Sequence, residues 1–222
     1  MSRPKLLDLF CGAGGAGMGY HLAGFDVVGV DLNPMPNYPF EFHQADAFVW
    51  LEEQCLGPTW KWEPDAIHAS PPCQAFTVYN NTGNVGEYPD LIEPTRELLR
   101  ATGLPYVIEN VPGAPLEDPV RICGTSLGLE VRRHRLFETN FLLFVPPCTH
   151  GQFTERKYPG STNRPNGRTV ANIGEWRVPL EQQKQAMGVD WMRLEELSES
   201  IPPAYTELIG HQLKQHIQAV AA

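Results

Sequence analysis

The sequence predicts an α/β fold with a mostly parallel sheet and helices on both of its faces. Short apolar runs alternate with longer segments of helical periodicity, which is typical of a chain that returns through a helix to each new parallel strand. A glycine-rich stretch follows the first apolar run, and groups capable of chemistry follow two later ones. Since the carboxyl ends of parallel strands open onto one crevice where ligands bind, we expect a single site there.

Each predicted strand is an apolar run bounded by turn residues. The strands are predicted at residues 6–10, 25–31, 65–69, 105–109 and 135–139. Helical spacing of apolar residues predicts helices at 15–23, 45–54, 92–102, 181–197 and 203–220. Gly24 and Gly103 end two of these helices, and Pro203 suits the first position of the last one.

Composition indicates a globular protein of 222 residues, with 42% hydrophobic and 19% charged residues, and one domain of ordinary size. No apolar run is long enough for a membrane span, and a strand that starts so near Met1 leaves no room for a signal peptide. Five cysteines without a C-x-x-C pair argue for a reducing compartment and against disulfides or structural zinc. Cys148-Thr149-His150 offers two possible ligands, but without a second pair it predicts no metal site.

The net charge of −9 is unevenly distributed. Residues 131–180 hold eight basic and three acidic side chains, a balance of +5, so the remainder of the chain carries −14. A basic segment on an acidic body is what localised contact with phosphates requires. A solvated loop with a chance excess of charge is an equally good interpretation of composition alone.

A glycine-rich loop, CGAGGAG at residues 11–17, follows the first predicted strand. Gly12, Gly14 and Gly17 have dinucleotide-binding spacing, and Asp31 ends the next strand, where a carboxylate can bind ribose hydroxyls. The spacing alone leaves a nicotinamide or flavin oxidoreductase open. Such an enzyme, however, gives no reason for the groups that follow the later strands.

Those groups are a thiol and a carboxylate. Pro71-Pro72-Cys73-Gln74 follows the strand at 65–69, and Glu109-Asn110-Val111 ends the strand at 105–109. A lone cysteine is most often buried packing. At the ends of two strands of one sheet, though, a thiol and a carboxyl group can meet around one substrate as nucleophile and proton donor.

Taken in order, these motifs resemble the DNA cytosine-5 methyltransferase family. The end of the chain resembles the small phage-type members of that family, in Ala186-Met187-Gly188-Val189-Asp190-Trp191-Met192 and Ile201-Pro202-Pro203-Ala204-Tyr205. The motifs that carry the resemblance are Asp8-Leu9-Phe10-Cys11-Gly12-Ala13-Gly14-Gly15, Pro71-Pro72-Cys73-Gln74, Glu109-Asn110-Val111 and Arg133-His134-Arg135. The last is similar to the family's Arg-x-Arg motif, with Val131 in place of its usual preceding glutamine. The family's closing Gly-Asn-Ser/Thr-Val signature is missing.

The resemblance implies a Rossmann-like fold that binds S-adenosylmethionine. In such a site Asp31 would bind the ribose, and Asp46 would bind the adenine amino group. The position of Asp46 before a predicted helix is also typical of a helix N-cap. The implied cofactor-binding residues are Asp8, Phe10, Gly12, Ala13, Gly14, Gly15, Asp31, Leu32, Asp46 and Pro72.

The resemblance also implies the chemistry. Cys73 would attack carbon 6 of a cytosine flipped out of the duplex, carbon 5 would take the methyl group, and Glu109 would contact N3 and the exocyclic amine. Arg133 and Arg135, two apart in a predicted strand, would share a face, with one contacting the cytosine O2 and the other orienting Glu109. The polar segment 75–88 resembles the mobile loop that closes over DNA.

We expect a catalytic core at 1–138, a short recognition insert at 139–180 and helices at 181–222 that return to the core. The candidates for DNA contact are Arg156, Lys157, Asn163, Arg164, Asn166 and Arg168. The expected partner is double-stranded DNA, without membrane or metal, in the cytoplasm of a bacterial cell or a phage-infected host, as in restriction-modification. The same chemistry on RNA or a free cytosine nucleotide, and a non-catalytic DNA-binding relative, remain alternatives.

Overall fold

A seven-stranded sheet lies at the centre of the computed structural model, with the strand order β3-β2-β1-β4-β5-β7-β6. The model describes residues 2–56, 62–76, 89–149, 154–155, 169–171, 173–174, 176 and 178–220. The strands are β1 Lys5–Leu9, β2 Asp26–Asp31, β3 Glu41–Gln44, β4 Ala66–Ala69, β5 Tyr106–Asn110, β6 Val120–Cys123 and β7 His134–Thr139. All neighbouring strands are parallel except that β7 runs antiparallel to β5 and β6. Two further short strands, β8 Thr154–Glu155 and β9 Thr169–Val170, pair with each other.

Six α-helices accompany the sheet within the described residues. They are α1 Gly15–Leu22, α2 Ala47–Leu51, α3 Ile92–Thr102, α4 Leu180–Met187, α5 Leu194–Glu199 and α6 Pro203–Val220. None of the helices in this part of the chain is both long and apolar enough to cross a membrane.

The predicted α/β fold is confirmed, with three differences in its elements. The sheet contains two strands, β3 and β6, that the sequence did not predict, because both are short, partly exposed and lack an apolar run. The helix predicted at 45–54 ends at Leu51 and continues as a π-helical turn, Glu52–Leu56. The periodic segment 181–197 is two helices, separated after Gly188, whose φ of 73° ends α4.

The core lies on both faces of the sheet because successive strand residues point to opposite sides. On one face, Leu6 and Val107 belong to an apolar cluster that includes residues of α1 and α6. On the other, Leu7 and Ile108 pack with residues of α2 and α3. Phe141 also packs on the α6 side, so the first residues after β7 are part of the core.

Helices α1 and α6 approach each other closely through glycine. A Cβ on Gly19 would lie 2.0 Å from the Pro203 carbonyl oxygen, and one on Gly210 would lie 2.6 Å from the Ala23 Cβ. The Thr206 hydroxyl donates to the Ala16 carbonyl at 2.8 Å. The C-terminal helix is thereby fixed against the helix that begins at the glycine-rich loop.

A buried ion pair joins α3 to β7 at the opposite edge of the sheet. Arg96 and Glu138 form a bidentate pair with both N···O distances 2.8 Å, and their side chains are 2% and 3% exposed. Burial raises the pKa of Glu138, but hydrogen bonds from Arg96 and the Glu117 amide outweigh it and leave the pKa lowered. Ionised Glu138 therefore stabilises the fold above the carboxyl's unfolded-state pKa, and this stabilisation is lost as the pH falls through its folded-state pKa.

We expect Glu138→Gln to lower the free energy of unfolding by about 2–3 kcal/mol, since it replaces a charged acceptor of Arg96 by a neutral one. Urea unfolding at neutral pH measures the loss. Glu117→Gln is the matched control, because the Glu117 side chain is 54% exposed and exposed pairs contribute at most about 1 kcal/mol. Equal effects of the two variants would contradict a special role for the buried pair.

Candidate active site

Cys73 and Glu109 come from the ends of the neighbouring parallel strands β4 and β5. Asn110 fixes the relative position of the two strand ends, because its side-chain amide donates to the Pro71 carbonyl at 2.9 Å. Its Oδ1 also accepts from the Val111 amide at 2.9 Å. The asparagine of the Glu-Asn-Val motif thus holds the Pro-Pro-Cys turn against the carboxyl end of β5.

The Glu109 carboxylate is buried, at 7% exposure, and lies 3.0 Å from the Arg135 Nε through its Oε1. That N–H is not aligned on the oxygen, so Oε1 has no hydrogen bond among the residues that the structure describes. Burial raises the pKa of Glu109, against the opposing effects of Arg135, a hydrogen bond from Ser70 and Arg133. The result is a carboxyl group biased toward its protonated form.

A series of buried, hydrogen-bonded side chains leads to Glu109. The Tyr20 hydroxyl lies 3.0 Å from His68 Nδ1, and His68 Nε2 lies 2.9 Å from the Ser70 hydroxyl, which contacts Glu109. Burial lowers the pKa of His68 to about 3, so its ring is neutral at physiological pH. Sequence reasoning missed these residues, although two polar side chains at alternate positions of an apolar strand were a usable signal.

The Cys73 thiol is half-buried at the mouth of the same crevice. Burial raises its pKa above the ordinary value of 9.0, Arg135 opposes this, and Glu109 adds to it. Without a substrate, Cys73 is therefore mainly a thiol at neutral pH. The four remaining cysteines are also free of disulfides.

The two arginines of the Arg-x-Arg motif differ in their contacts, although both lie near Glu109 and oppose the rise of its pKa. β7 begins at His134, so Arg133 precedes it, and its guanidinium donates to the Ser198 carbonyl near the end of α5. Among the residues that the structure describes, Arg135 forms the ion pair with Glu109. The difference arises because the antiparallel pairing of β7 with β6 ends at Cys123 and His134.

The glycine-rich loop connects β1 to α1 at the same edge of the sheet. Phe10 and Gly12 have positive φ values of 54° and 50°, and a Cβ on Gly12 would meet no atom within 4 Å. Asp31, at the end of β2, accepts from the Gly12 amide at 3.0 Å and from the Asn33 amide at 2.9 Å. Open space above Gly12 beside a carboxylate fits a nucleoside cofactor that approaches the backbone closely.

Tyr38 completes the base of this loop and was missed by sequence reasoning, since no local pattern marks it. Its hydroxyl donates to Asp8 at 3.2 Å, and its ring lies where Cβ atoms on Gly14 or Gly29 would be. Asp8 is fully buried beneath the loop, and burial raises its pKa well above the usual range. Asp8 therefore lies under the glycine-rich loop, whereas Gly12 lies on the surface of that loop.

The C-terminal segment closes the other side of the loop. A Cβ on Gly15 would lie 2.0 Å from the Ser200 hydroxyl, and the Trp191 indole N–H donates to the Ala13 carbonyl at 2.8 Å. Ala13 and Gly15 are therefore packed against this segment. These contacts join residues almost the whole chain apart, so spacing in the sequence did not reveal them.

The remaining predicted cofactor residues lie at this edge with exposed side chains. Leu32 is 65% exposed beside Asp31, and Pro72 is exposed next to Cys73. Asp46 is the N-cap of α2, and its Oδ1 accepts from the amides of Phe48 and Val49 at 2.9 and 3.1 Å. The alternative interpretation of Asp46 as a helix cap is thus correct, and a role toward the cofactor remains a prediction.

The candidates for DNA contact lie outside the described residues. They are Arg156, Lys157, Asn163, Arg164, Asn166 and Arg168. Most of the segment 75–88, predicted to close over DNA, lies outside them as well. The division of the chain at 138 and 180 also stays a prediction.

Comparisons with known proteins show similarity to methyltransferases. No protein-family model matches the chain. It is 31% identical over 124 residues to the Type II methyltransferase M.AquIA of Picosynechococcus, a match that covers 49% of each protein. It is 34% identical over 80 residues to M.HgiGI of Herpetosiphon aurantiacus and 31% identical over 85 residues to M.AgeI of Thalassovita gelatinovora, both Type II methyltransferases, spanning 62% and 20% of their lengths. The chain thus spans less than two thirds of each of these relatives.

Two solved structures share the fold over nearly the whole chain. A DNMT2 mutant from Spodoptera frugiperda has a TM-score of 0.59 at 13% identity and covers 97% of this chain and 99% of its own. The Dnmt2 methyltransferase of S. pombe has a TM-score of 0.57 at 13% identity and covers 98% of this chain and 99% of its own.

The sheet order and the two solved structures show a Rossmann-like α/β fold that this chain shares with Dnmt2 methyltransferases. Over part of its length the chain is also similar in sequence to Type II methyltransferases.

Proposed function

We propose that this protein transfers a methyl group from S-adenosylmethionine to carbon 5 of cytosine in DNA. The observation that supports this best is that the buried Glu109 carboxyl, paired with Arg135, lies close enough to the Cys73 thiol to raise its pKa. A ligand with a ring nitrogen and an exocyclic amine beside an electrophilic carbon would satisfy both groups, and cytosine has this pattern.

In this mechanism Cys73 loses its proton and its sulfur adds to carbon 6 of the ring. The raised pKa of Cys73 disfavours the thiolate, so the positive charge of Arg135 is needed to offset the effects of burial and of Glu109. The addition makes carbon 5 nucleophilic. After methyl transfer, the carbon-5 proton is lost to solvent, which expels the Cys73 thiolate and restores the aromatic ring.

Glu109 would stabilise the ring during the attack. A protonated Glu109 can donate to N3 while its other oxygen accepts from the exocyclic amine, and burial favours this protonated form. Arg135 would orient the carboxyl group, and the chain from Tyr20 through His68 to Ser70 would hold it from the opposite side. Since duplex DNA hides carbons 5 and 6, the base must be flipped into the crevice.

S-adenosylmethionine would supply an electrophilic methyl group bound to a positively charged sulfur. Gly12 and Phe10 would line its site, Asp31 would accept hydrogen bonds from the ribose hydroxyls, and the exposed Leu32 side chain would cover the adenine. Asp8, buried beneath the glycine-rich loop, would hold Tyr38 in place by accepting a hydrogen bond from its hydroxyl.

Parallel methyl-transfer assays with duplex DNA, transfer RNA and dCMP test the substrate. We expect transfer to duplex DNA, as the printed names of the bacterial relatives suggest. The Dnmt2 structures share only the fold at 13% identity and do not favour either nucleic acid. Transfer to RNA alone or to dCMP alone would show that this molecule, and not DNA, is the substrate. No transfer to any of the three would favour a non-catalytic binding protein.

Asp46→Asn separates the two roles of Asp46. Asparagine caps helices as well as aspartate does, so we expect the stability of the protein to be retained. Loss of the carboxylate acceptor should weaken S-adenosylmethionine binding by about 10-fold or more, measured by isothermal titration calorimetry.

Asp65→Asn is the matched control, because Asp65 accepts from the Lys5 amide at 2.7 Å near the opposite ends of the strands. Its dissociation constant for S-adenosylmethionine should equal that of the wild type. If Asp46→Asn also binds the cofactor normally, Asp46 is a helix cap alone.

A further inference from the structure

Two cysteines and a histidine converge next to the Arg-x-Arg motif. The Cys123 Sγ, one His134 ring nitrogen and the Cys148 Sγ all lie within 4.8 Å of one another. Cys148 Sγ is 3.5 Å from His134 Nε2, and Cys123 is fully buried. No part of the proposed methyl transfer uses any of these groups.

The backbone builds this cluster. Cys123 ends β6 and His134 begins β7, and the two are direct partners in the antiparallel pairing. Cys148 is brought in by the segment after β7, where the Thr149 hydroxyl donates to the Thr125 carbonyl at 2.6 Å. Two ligands are thus held by the sheet and the third by a separate hydrogen bond, which is a preorganised arrangement.

We infer that Cys123, His134 and Cys148 bind a zinc ion. Thiolate and imidazole are the ligands that tetrahedral zinc prefers, and bond lengths of about 2.0–2.3 Å place neighbouring ligand atoms about 3.5–3.8 Å apart. The Cys148–His134 distance of 3.5 Å already has this value. On binding, both thiols release their protons to solvent, and the fourth position is left to water or to another side chain.

A disulfide between Cys123 and Cys148 is the competing chemistry. It would need an oxidant, and it would not explain why His134 lies in contact with Cys148. Two thiolates and an imidazole from three segments match a metal better than a bridge between two of them.

The position of the cluster indicates what the zinc would do. His134 lies between Arg133 and Arg135, and Cys148 lies farther along the same basic segment, residues 131–180. A zinc ion would therefore tie the chain around Cys148 to the strand that carries Arg135. Its role would be structural, fixing one wall of the crevice.

Metal analysis of the full chain tests this proposal. After exposure to excess Zn²⁺ and desalting, we expect the wild type to retain about one zinc per chain. X-ray absorption should show two sulfur ligands and one imidazole. Replacement by Co²⁺ should give the visible absorption bands of tetrahedral cobalt with thiolate ligands, a readout independent of methyl transfer.

Cys123→Ser and Cys148→Ser should each lose the zinc on desalting. Cys55→Ser is the matched control, because Cys55 is a buried free cysteine in the π-helical turn, and this variant should retain it. Cys73→Ser should retain zinc as well, so that failure of the proposed catalysis would not affect the result. Should the serine variants not fold, the cobalt spectrum of the wild type still decides. A wild type without bound metal, full zinc in both serine variants, or a Cys123–Cys148 disulfide in peptide maps would overturn the proposal.

Discussion

DNA that contains 5-fluorocytosine is expected to become covalently attached to Cys73 when S-adenosylmethionine is present. The proposed intermediate joins Cys73 to carbon 6, and its release requires loss of a proton from carbon 5. Fluorine cannot leave as a cation, so the methylated ring should stay bound to the protein. Because the target sequence is unknown, the probe is long duplex DNA in which every cytosine is replaced by 5-fluorocytosine, and denaturing gels measure the adduct.

Cys73→Ser should give no adduct, because a serine hydroxyl is a far weaker nucleophile than a thiolate. Omission of S-adenosylmethionine from the wild-type reaction should likewise leave the DNA free after denaturation. Peptide mapping should locate the attachment at Cys73 and not at the buried Cys11. An active enzyme without an adduct, or with one on another cysteine, would refute the covalent mechanism.

Glu109→Gln is expected to lower kcat by about 10²–10⁴-fold, the range typical of lost acid–base assistance. Glutamine keeps the shape and the contact with Arg135 but cannot donate a carboxyl proton to N3. Binding of S-adenosylmethionine should be retained, because Glu109 is assigned to the cytosine ring and not to the cofactor. Single-turnover methyl transfer together with calorimetry separates the two effects.

The pH dependence provides a second readout for Glu109. The wild type needs protonated Glu109, so its activity should fall as the pH rises through the pKa of this carboxyl, which burial has raised. It also needs the Cys73 thiolate, which forms only as the pH rises toward the raised pKa of Cys73. The glutamine variant should retain the second dependence and lose the first. Glu117→Gln is again the control, and unchanged turnover in Glu109→Gln would remove Glu109 from the mechanism.

Local sequence patterns were sufficient for most of the fold and for proposing the main members of the candidate site. Helix α3 was predicted at its observed bounds, and helix α6 likewise, because helical periodicity, the terminal Gly103 and the initial Pro203 are all encoded within a few residues. The glycine-rich loop, Cys73 and Glu109 were recognised for the same reason. Each follows a strand whose apolar run is continuous in the sequence, and parallel strands bring their carboxyl ends together.

Contacts between distant segments had no such local signal and depend on how the chain packs. The strands β3 and β6 are held by pairing with β2 and β7 and not by their own composition. The hydrogen bond from Trp191 to the glycine-rich loop forms only because the C-terminal segment packs against the loop that follows β1. Cys123, His134 and Cys148 are separated by many residues, and only the register of β6 against β7 and the path after β7 bring them together. Adjacent residues encode periodicity and turns, whereas the packing of the whole chain determines which distant side chains meet.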